Sequence, residues 1–143
     1  MGFNFYMQIL REMDMKFRAI KENHLYHKAY AGGKKCITKT VAVYVLRDWH
    51  AKYLKKENPQ KEYVNRIGIS VSKKLGGAVV RNRAKRIIRA GFYEADKKLS
   101  LRRGYLIVLA ARDGIVSASS KNVYSDLCFA FHKLELDKSG ENS

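Results

Sequence analysis

Gly76-Gly77-Ala78-Val79-Val80-Arg81-Asn82-Arg83-Ala84-Lys85-Arg86-Ile87-Ile88-Arg89-Ala90-Gly91-Phe92 carries two helical stripes at once. Val80, Ala84, Ile87, Ile88, Gly91 and Ala95 recur at helical spacing, and at roughly 100° per residue they share one side of a helix running to about Leu99. Arg81, Asn82, Lys85, Arg86 and Arg89 fall on the adjoining side. The cations Arg81, Arg83, Lys85, Arg86 and Arg89 stand without a carboxylate among them, and like charges at i,i+4 destabilise an isolated helix. An ordinary solvated face interleaves Glu or Asp. This one does not, and its guanidinium forks match phosphate bidentately, so an anionic partner, nucleic acid above all, is expected against it.

Upstream of the helix, Arg66-Ile67-Gly68-Ile69-Ser70-Val71-Ser72-Lys73-Lys74 alternates as a strand, with Ile67, Ile69 and Val71 on one face and Gly68, Ser70 and Ser72 on the other. A face of Gly and Ser cannot fill a core alone. It admits either a bulky neighbouring helix or the close approach of a backbone or phosphate. Downstream, Arg102-Arg103-Gly104 turns the chain, and Tyr105 to Arg112 is a near-continuous apolar strand suited to a sheet interior. Strand, helix and strand in that order predict a parallel crossover pair. Val123, Leu127, Ala130, Phe131 and Leu134 predict a last helix from about Ser120 to Leu134, followed by a polar tail over 137–143.

Nearer the start, Lys16 to Ala31 reads as a lead-in and a short helix, with Asn23 as N-cap and Gly32-Gly33 as the stop. Tyr26 and Tyr30 lie on its apolar stripe with Leu25 and Ala29, where two roles fit: core packing, or rings at a groove edge that stack on unpaired bases. Thr40 to Leu46 is a strand that can begin as early as Cys36, and Tyr44 faces away from Val43 and Val45. From Asp48 to Asn65 the composition turns to Lys, Glu, Asn, Gln and the single proline, which predicts a long exposed connection, with one helical turn near Ala51 to Lys56 and no assigned chemistry.

The chain has 143 residues, enough for one domain with a core, and carries a formal charge of +16 with pI near 10. Arg66 to Arg112 holds thirteen Lys and Arg against two acidic residues, or +11 of that charge. The basic surface therefore belongs to the middle of the chain. Cys36 and Cys128 have neither a C-x-x-C partner nor His at ligand spacing, so free thiols in a reducing cytoplasm are expected. No apolar run approaches the roughly 20 residues of a membrane span, and the first fifteen residues read as an extension or a misassigned start rather than a signal peptide.

The ordered string Ile69-Ser70-Val71-Ser72-Lys73-Lys74-Leu75-Gly76-Gly77-Ala78-Val79-Val80-Arg81-Asn82-Arg83-Ala84-Lys85-Arg86 resembles the protein subunit of bacterial ribonuclease P. Arg81-Asn82-Arg83 matches the Arg-Asn-Arg signature of that family, Phe92 sits at its aromatic position, and the likeness spans roughly Lys16 to Leu134. The resemblance implies an α+β fold, a single-domain α/β sandwich over residues 16–136 in the order helix, strands, helix, strand, helix. It also implies a left-handed crossover around the Arg-Asn-Arg helix, opposite to the usual hand. Its implied activity is that of an accessory subunit to a catalytic RNA that removes the 5′ leader from precursor tRNA. By the same resemblance Arg81, Asn82, Arg83, Lys85, Arg86, Arg89, Lys73 and Lys74 face the catalytic RNA. Tyr26, Tyr30, Tyr44, Ser70 and Ser72, with Lys85 beside them, form a cleft for the leader. The connection over 48–65 is longer than the family's usual one.

A protein nuclease needs paired carboxylates around a metal, or an acid and base pair. Glu94 and Asp96 point to different sides of a helix, and His24 and His27 stand without a carboxylate nearby. The expectation is therefore no protein catalytic residue, with Mg2+ held by the RNA. The implied partners are ribonuclease P RNA and precursor tRNA, with no membrane and no obligate protein partner. Two rivals remain: a structural RNA binder of ribosomal type, which needs no aromatic cleft, and a basic peripheral membrane protein, which needs large apolar residues opposite its cations.

Overall fold

The computed structural model describes residues 17–48 and 65–137. The described chain forms β1 (Phe17–Ala19), α1 (Asn23–Gly32), β2 (Lys34–Ile37), β3 (Val41–Arg47), β4 (Asn65–Ser70), α2 (Ala78–Leu99), β5 (Tyr105–Ala111) and α3 (Ser120–Lys133), with short 3-10 turns at Lys73–Leu75 and Asp113–Ser117. The strands make one mixed sheet in the order β1-β4-β5-β3-β2. β1, β4 and β5 run parallel, β3 runs against β5, and β2 against β3. The strand, helix, strand reading over 66–112 is the β4-α2-β5 crossover, and the α+β order of helix, strands, helix, strand, helix stands.

Alternation along each strand divides the core. Val41, Val43, Val45, Ile67, Ile107 and Leu109 face α2 and α3, meeting Ala84, Ile88, Phe92, Ala95, Val123, Leu127, Ala130 and Phe131. This is the stripe read in the sequence, with Phe92 added: its ring is fully buried and meets Phe131 edge to face at 5.9 Å and 79°. Gly91 lets the two helices approach closely, since a Cβ there would lie 2.8 Å from Val123 and 3.0 Å from the Tyr124 amide. Burial of this face supplies the main stabilisation, at about 25 cal/mol per Å² of apolar surface. The opposite face is smaller. Ile20, Leu25, Ala29, Leu106 and Val108 pack there with Tyr26, Tyr44 and Leu46, so α1 covers part of the sheet.

Several expected boundaries shift. The strand expected over Thr40 to Leu46, with a start as early as Cys36, is a hairpin of two strands, broken at Thr38-Lys39-Thr40. Its turn is held by side chains: Thr38 Oγ1 donates to the Val41 carbonyl at 2.7 Å, and Asp126 of α3 accepts from both the amide and the hydroxyl of Thr40 at 3.2 and 2.6 Å. Asn23 is the first residue of α1 rather than its cap; Glu22 holds the cap position without a side-chain bond. α3, by contrast, starts with a capping box in which Ser119 and Asn122 satisfy each other's backbone amides.

The two ends of the connection over 48–65 are not exposed, as the composition had suggested. Asp48 and Asn65 are both buried. Asp48 takes a bidentate hydrogen bond from Arg66 at 2.7 and 2.9 Å, and Asn65 binds the Arg102 carbonyl and the Tyr105 amide at 3.0 Å each. Burying these groups is tolerable because each is partnered. Asp137, expected to open the polar tail, is likewise buried and bridges to Leu101. The first fifteen residues and the helical turn near Ala51 to Lys56 lie outside the described residues.

Candidate nucleic-acid interface

Register fixes which side chains share the α1 face. Lys35, Tyr44, Val108 and Gly68 form one row across β2, β3, β5 and β4, and Ile37, Ala42, Ala110 and Ser70 form the next. α1 crosses the sheet from β4 toward β3. Glu22 lies 3.7 Å from Arg66, Tyr26 packs on Gly68, Tyr30 meets Tyr44, and Gly33 abuts the Val45 carbonyl. The row Ser70, Ala110, Ala42, Ile37 lies beyond the cluster that α1 buries. The tyrosines thus stand beside a row of small residues, with Ser70 and Ala110 half-buried and Ala42 buried, and this step between helix and sheet is the groove referred to below.

Gly68 gives the Tyr26 ring its seat. A Cβ there would sit 2.7 Å from ring atoms of Tyr26, so the glycine and serine face admits a tyrosine from the neighbouring helix, and only Ser70 of that face enters the floor. Tyr30 stays 38% exposed and meets Tyr44 edge to face, with centroids 4.8 Å apart and planes at 80°. Tyr26 and Tyr44 are half-buried. None of the three rings is fully buried: each packs on one side and keeps part of its surface open. Burial, and next the neighbouring Tyr30, raise the Tyr26 phenol above its ordinary pKa. Ser72 is exposed, and its hydroxyl accepts from the Lys74 amide at 3.2 Å, capping the 3-10 turn that leads to α2.

The basic residues belong to the other side of the sheet, on α2. Gly77 holds the N-cap position of this helix with no side-chain cap, its first turn has no acidic residue, and its last turn carries Lys97 and Lys98, where cations suit the helix dipole. Asn82 and Arg86 are exposed, Arg81, Lys85 and Arg89 half-buried, and Lys73 and Lys74 exposed on the lead-in turn. The Arg81 Nε is buried without a hydrogen-bond partner among the described residues. Arg83 is tied into the fold. Its guanidinium donates to the carbonyls of Ala118 at 2.7 Å and Val116 at 3.3 Å, clamping the segment after β5 to α2.

The residues that sequence reasoning missed are those that hold the two surfaces in place. Arg66 joins β4 to the end of β3 through Asp48 and to the approach of α1 through Glu22. The hydrogen bond to Asp48 chiefly raises its pKa above the usual arginine value, against the opposing effect of burial. These partners are distant in sequence, and no local pattern announces them. Among the described residues no group of three or more His, Cys, Asp and Glu is placed to hold a metal ion. Asp96 is buried and Glu94 exposed, so this pair faces different surroundings as expected; His24 and His27 are exposed. Cys36 and Cys128 are free thiols, and no helix among the described residues is long and apolar enough to cross a membrane.

Comparison with known proteins gives a consistent result. The family model described as ribonuclease P matches residues 15–135. The ribonuclease P protein component of Geobacillus kaustophilus is 33% identical over 132 residues, covering 92% of this chain and 98% of that protein. Its counterpart from Clostridium botulinum is 32% identical over 113 residues, covering 79% and 90%. Among solved structures, the Staphylococcus aureus RNase P protein superimposes with a TM-score of 0.63 at 27% identity, over 84% of this chain and 97% of that one. The RNase P protein from Thermotoga maritima shares the fold, with a TM-score of 0.58 at 21% identity over 77% and 91%.

Proposed function

Because this chain belongs to the ribonuclease P protein family, we propose that it is the protein subunit of a cytoplasmic ribonucleoprotein that removes the 5′ leader of precursor tRNA. The catalytic RNA, with its Mg2+, performs the cleavage. Arg81, Asn82, Lys85, Arg86 and Arg89, with Lys73 and Lys74, contact that RNA, and Arg83 orders the segment beside them. The groove lined by Tyr26, Tyr30, Tyr44 and Ser70 receives the unpaired leader.

One observation supports this reading over a structural RNA binder: the half-exposed tyrosines line one face of the sheet, and the helix on the opposite face carries a basic run, Arg81 to Arg89, with no carboxylate in it. A purely phosphate-directed protein has no use for the groove. α2 also presents Ala84, Ile88 and Ala95 to the sheet rather than a broad apolar face to lipid.

Base stacking on an aromatic ring contributes about 1–3 kcal/mol per base. Tyr30→Ala and Tyr44→Ala are each expected to weaken holoenzyme binding of precursor tRNA by roughly that amount. Mature tRNA, which lacks the leader, keeps its affinity. Equilibrium binding of both tRNAs, alongside the melting temperature of each variant, checks this. Equal losses for both tRNAs, or a lower melting temperature with unchanged discrimination in the folded fraction, would defeat the groove assignment.

A further inference from the structure

The groove does not end at the tyrosines. The row Ser70, Ala110, Ala42, Ile37 crosses four strands to the edge of the sheet, and three interstrand steps of roughly 4.8 Å make it about 14 Å long. That is longer than one nucleobase. Along β2, Cys36 alone is buried, turned toward the α2 and α3 core, while Lys35 and Ile37 stand exposed on the Tyr44 side. Ile37 is 54% exposed, although a large aliphatic side chain gains from burial. Lys35 is registered with Tyr44 and Ile37 with Ala42; Ala42 is buried, so the exposed apolar surface at the far end of the groove is Ile37, with Lys35 two residues away on the same strand. An unpaired nucleotide presents the complement of both, a flat base and a phosphate. The competing occupant is a strand of another chain added to β2. Lysines on an edge strand oppose such pairing, and the formal charge of +16 disfavours a second copy.

We propose that Ile37 and Lys35 form an end subsite of the groove that holds one further unpaired nucleotide of the leader, with Ile37 against the base and Lys35 beside a phosphate. This rests on the reading of the groove as the leader site and extends it to the sheet edge. The subsite is sequence-tolerant, because an aliphatic surface accepts the face of any base. It also ties affinity to leader length, since only a leader that crosses the sheet reaches it.

The test measures holoenzyme affinity for precursor tRNAs whose leaders lengthen one nucleotide at a time, using the wild-type protein, Ile37→Ser, Lys35→Gln and Tyr44→Ala. In the wild type, affinity should rise with leader length to a plateau. With Ile37→Ser the plateau should come one nucleotide earlier and lie about 3- to 10-fold lower in affinity, a fraction of an aromatic stack. Lys35→Gln should flatten the salt dependence for long leaders by roughly 0.7 in log–log slope. If Tyr44→Ala loses leader affinity while Ile37→Ser matches the wild type at every length, the subsite is wrong and the groove reading survives. If Tyr44→Ala shows no leader-dependent loss, the groove reading itself fails. A change in oligomeric state of Ile37→Ser without a change in leader affinity assigns β2 to a protein contact and overturns the proposal.

Discussion

Asp48→Ala is expected to destabilise the fold by about 3–5 kcal/mol, because it strands a mostly buried guanidinium without its counter-ion. The Arg66 side chain is 13% exposed and that of Asp48 3%, and Glu22 at 3.7 Å is too distant and too exposed to replace the lost bidentate bond. Removing both charges should be milder: Asp48→Ala with Arg66→Met ought to recover much of the loss, since an apolar side chain of similar length needs no partner. Urea unfolding of the three proteins decides it. A loss below about 1 kcal/mol for Asp48→Ala would mean that the pair behaves as a surface salt bridge. The pair matters for function because it fixes the end of β3, the start of β4 and the approach of α1, and so sets the groove between α1 and the sheet.

The second large effect is on the RNA. Replacing Arg81, Lys85 and Arg86 together with Lys73 and Lys74 by Gln should lower affinity for the catalytic RNA steeply at low salt. Each lost phosphate contact should reduce the log–log salt slope by roughly 0.7–0.9. The fold should be spared, because these side chains are exposed or half-buried on α2 and its lead-in turn, and among the described residues no buried ion pair ends on them. Arg83→Gln belongs to a different class. With its two carbonyl bonds lost, it should lower the melting temperature and leave the salt slope largely intact. Titrations at several salt concentrations, with circular dichroism alongside, distinguish the two. An unchanged slope in the natively folded multiple variant would remove α2 from the RNA interface.

The basic helix was legible in the sequence because both its signals are local: a single-sign charge run and an apolar stripe within one segment. Tyr105 to Ala111 and Ser120 to Lys133 were legible for the same reason. The Thr38-Lys39-Thr40 turn was not, since it contains no Gly, Pro or Asn and depends on Asp126 far along the chain. Nor was the role of Asp48, whose polar neighbours in sequence disguise a buried carboxylate. The tyrosines could be named from the sequence but not placed. Only the pairing of β3 with β5 and β5 with β4 puts Tyr44 in one row with Gly68, the residue on which Tyr26 rests. Ile37 gave no local signal, because its meaning depends on lying at the edge of that sheet.

The protein is proposed to act through a catalytic RNA. The most direct measurement adds the purified, RNA-free protein to ribonuclease P RNA and precursor tRNA at a Mg2+ concentration too low for the RNA to act alone. The expected result is cleavage of the 5′ leader when protein and RNA are combined, and none with the protein by itself. Leader cleavage by the RNA-free protein, or no gain when it is added to the RNA, would contradict the account.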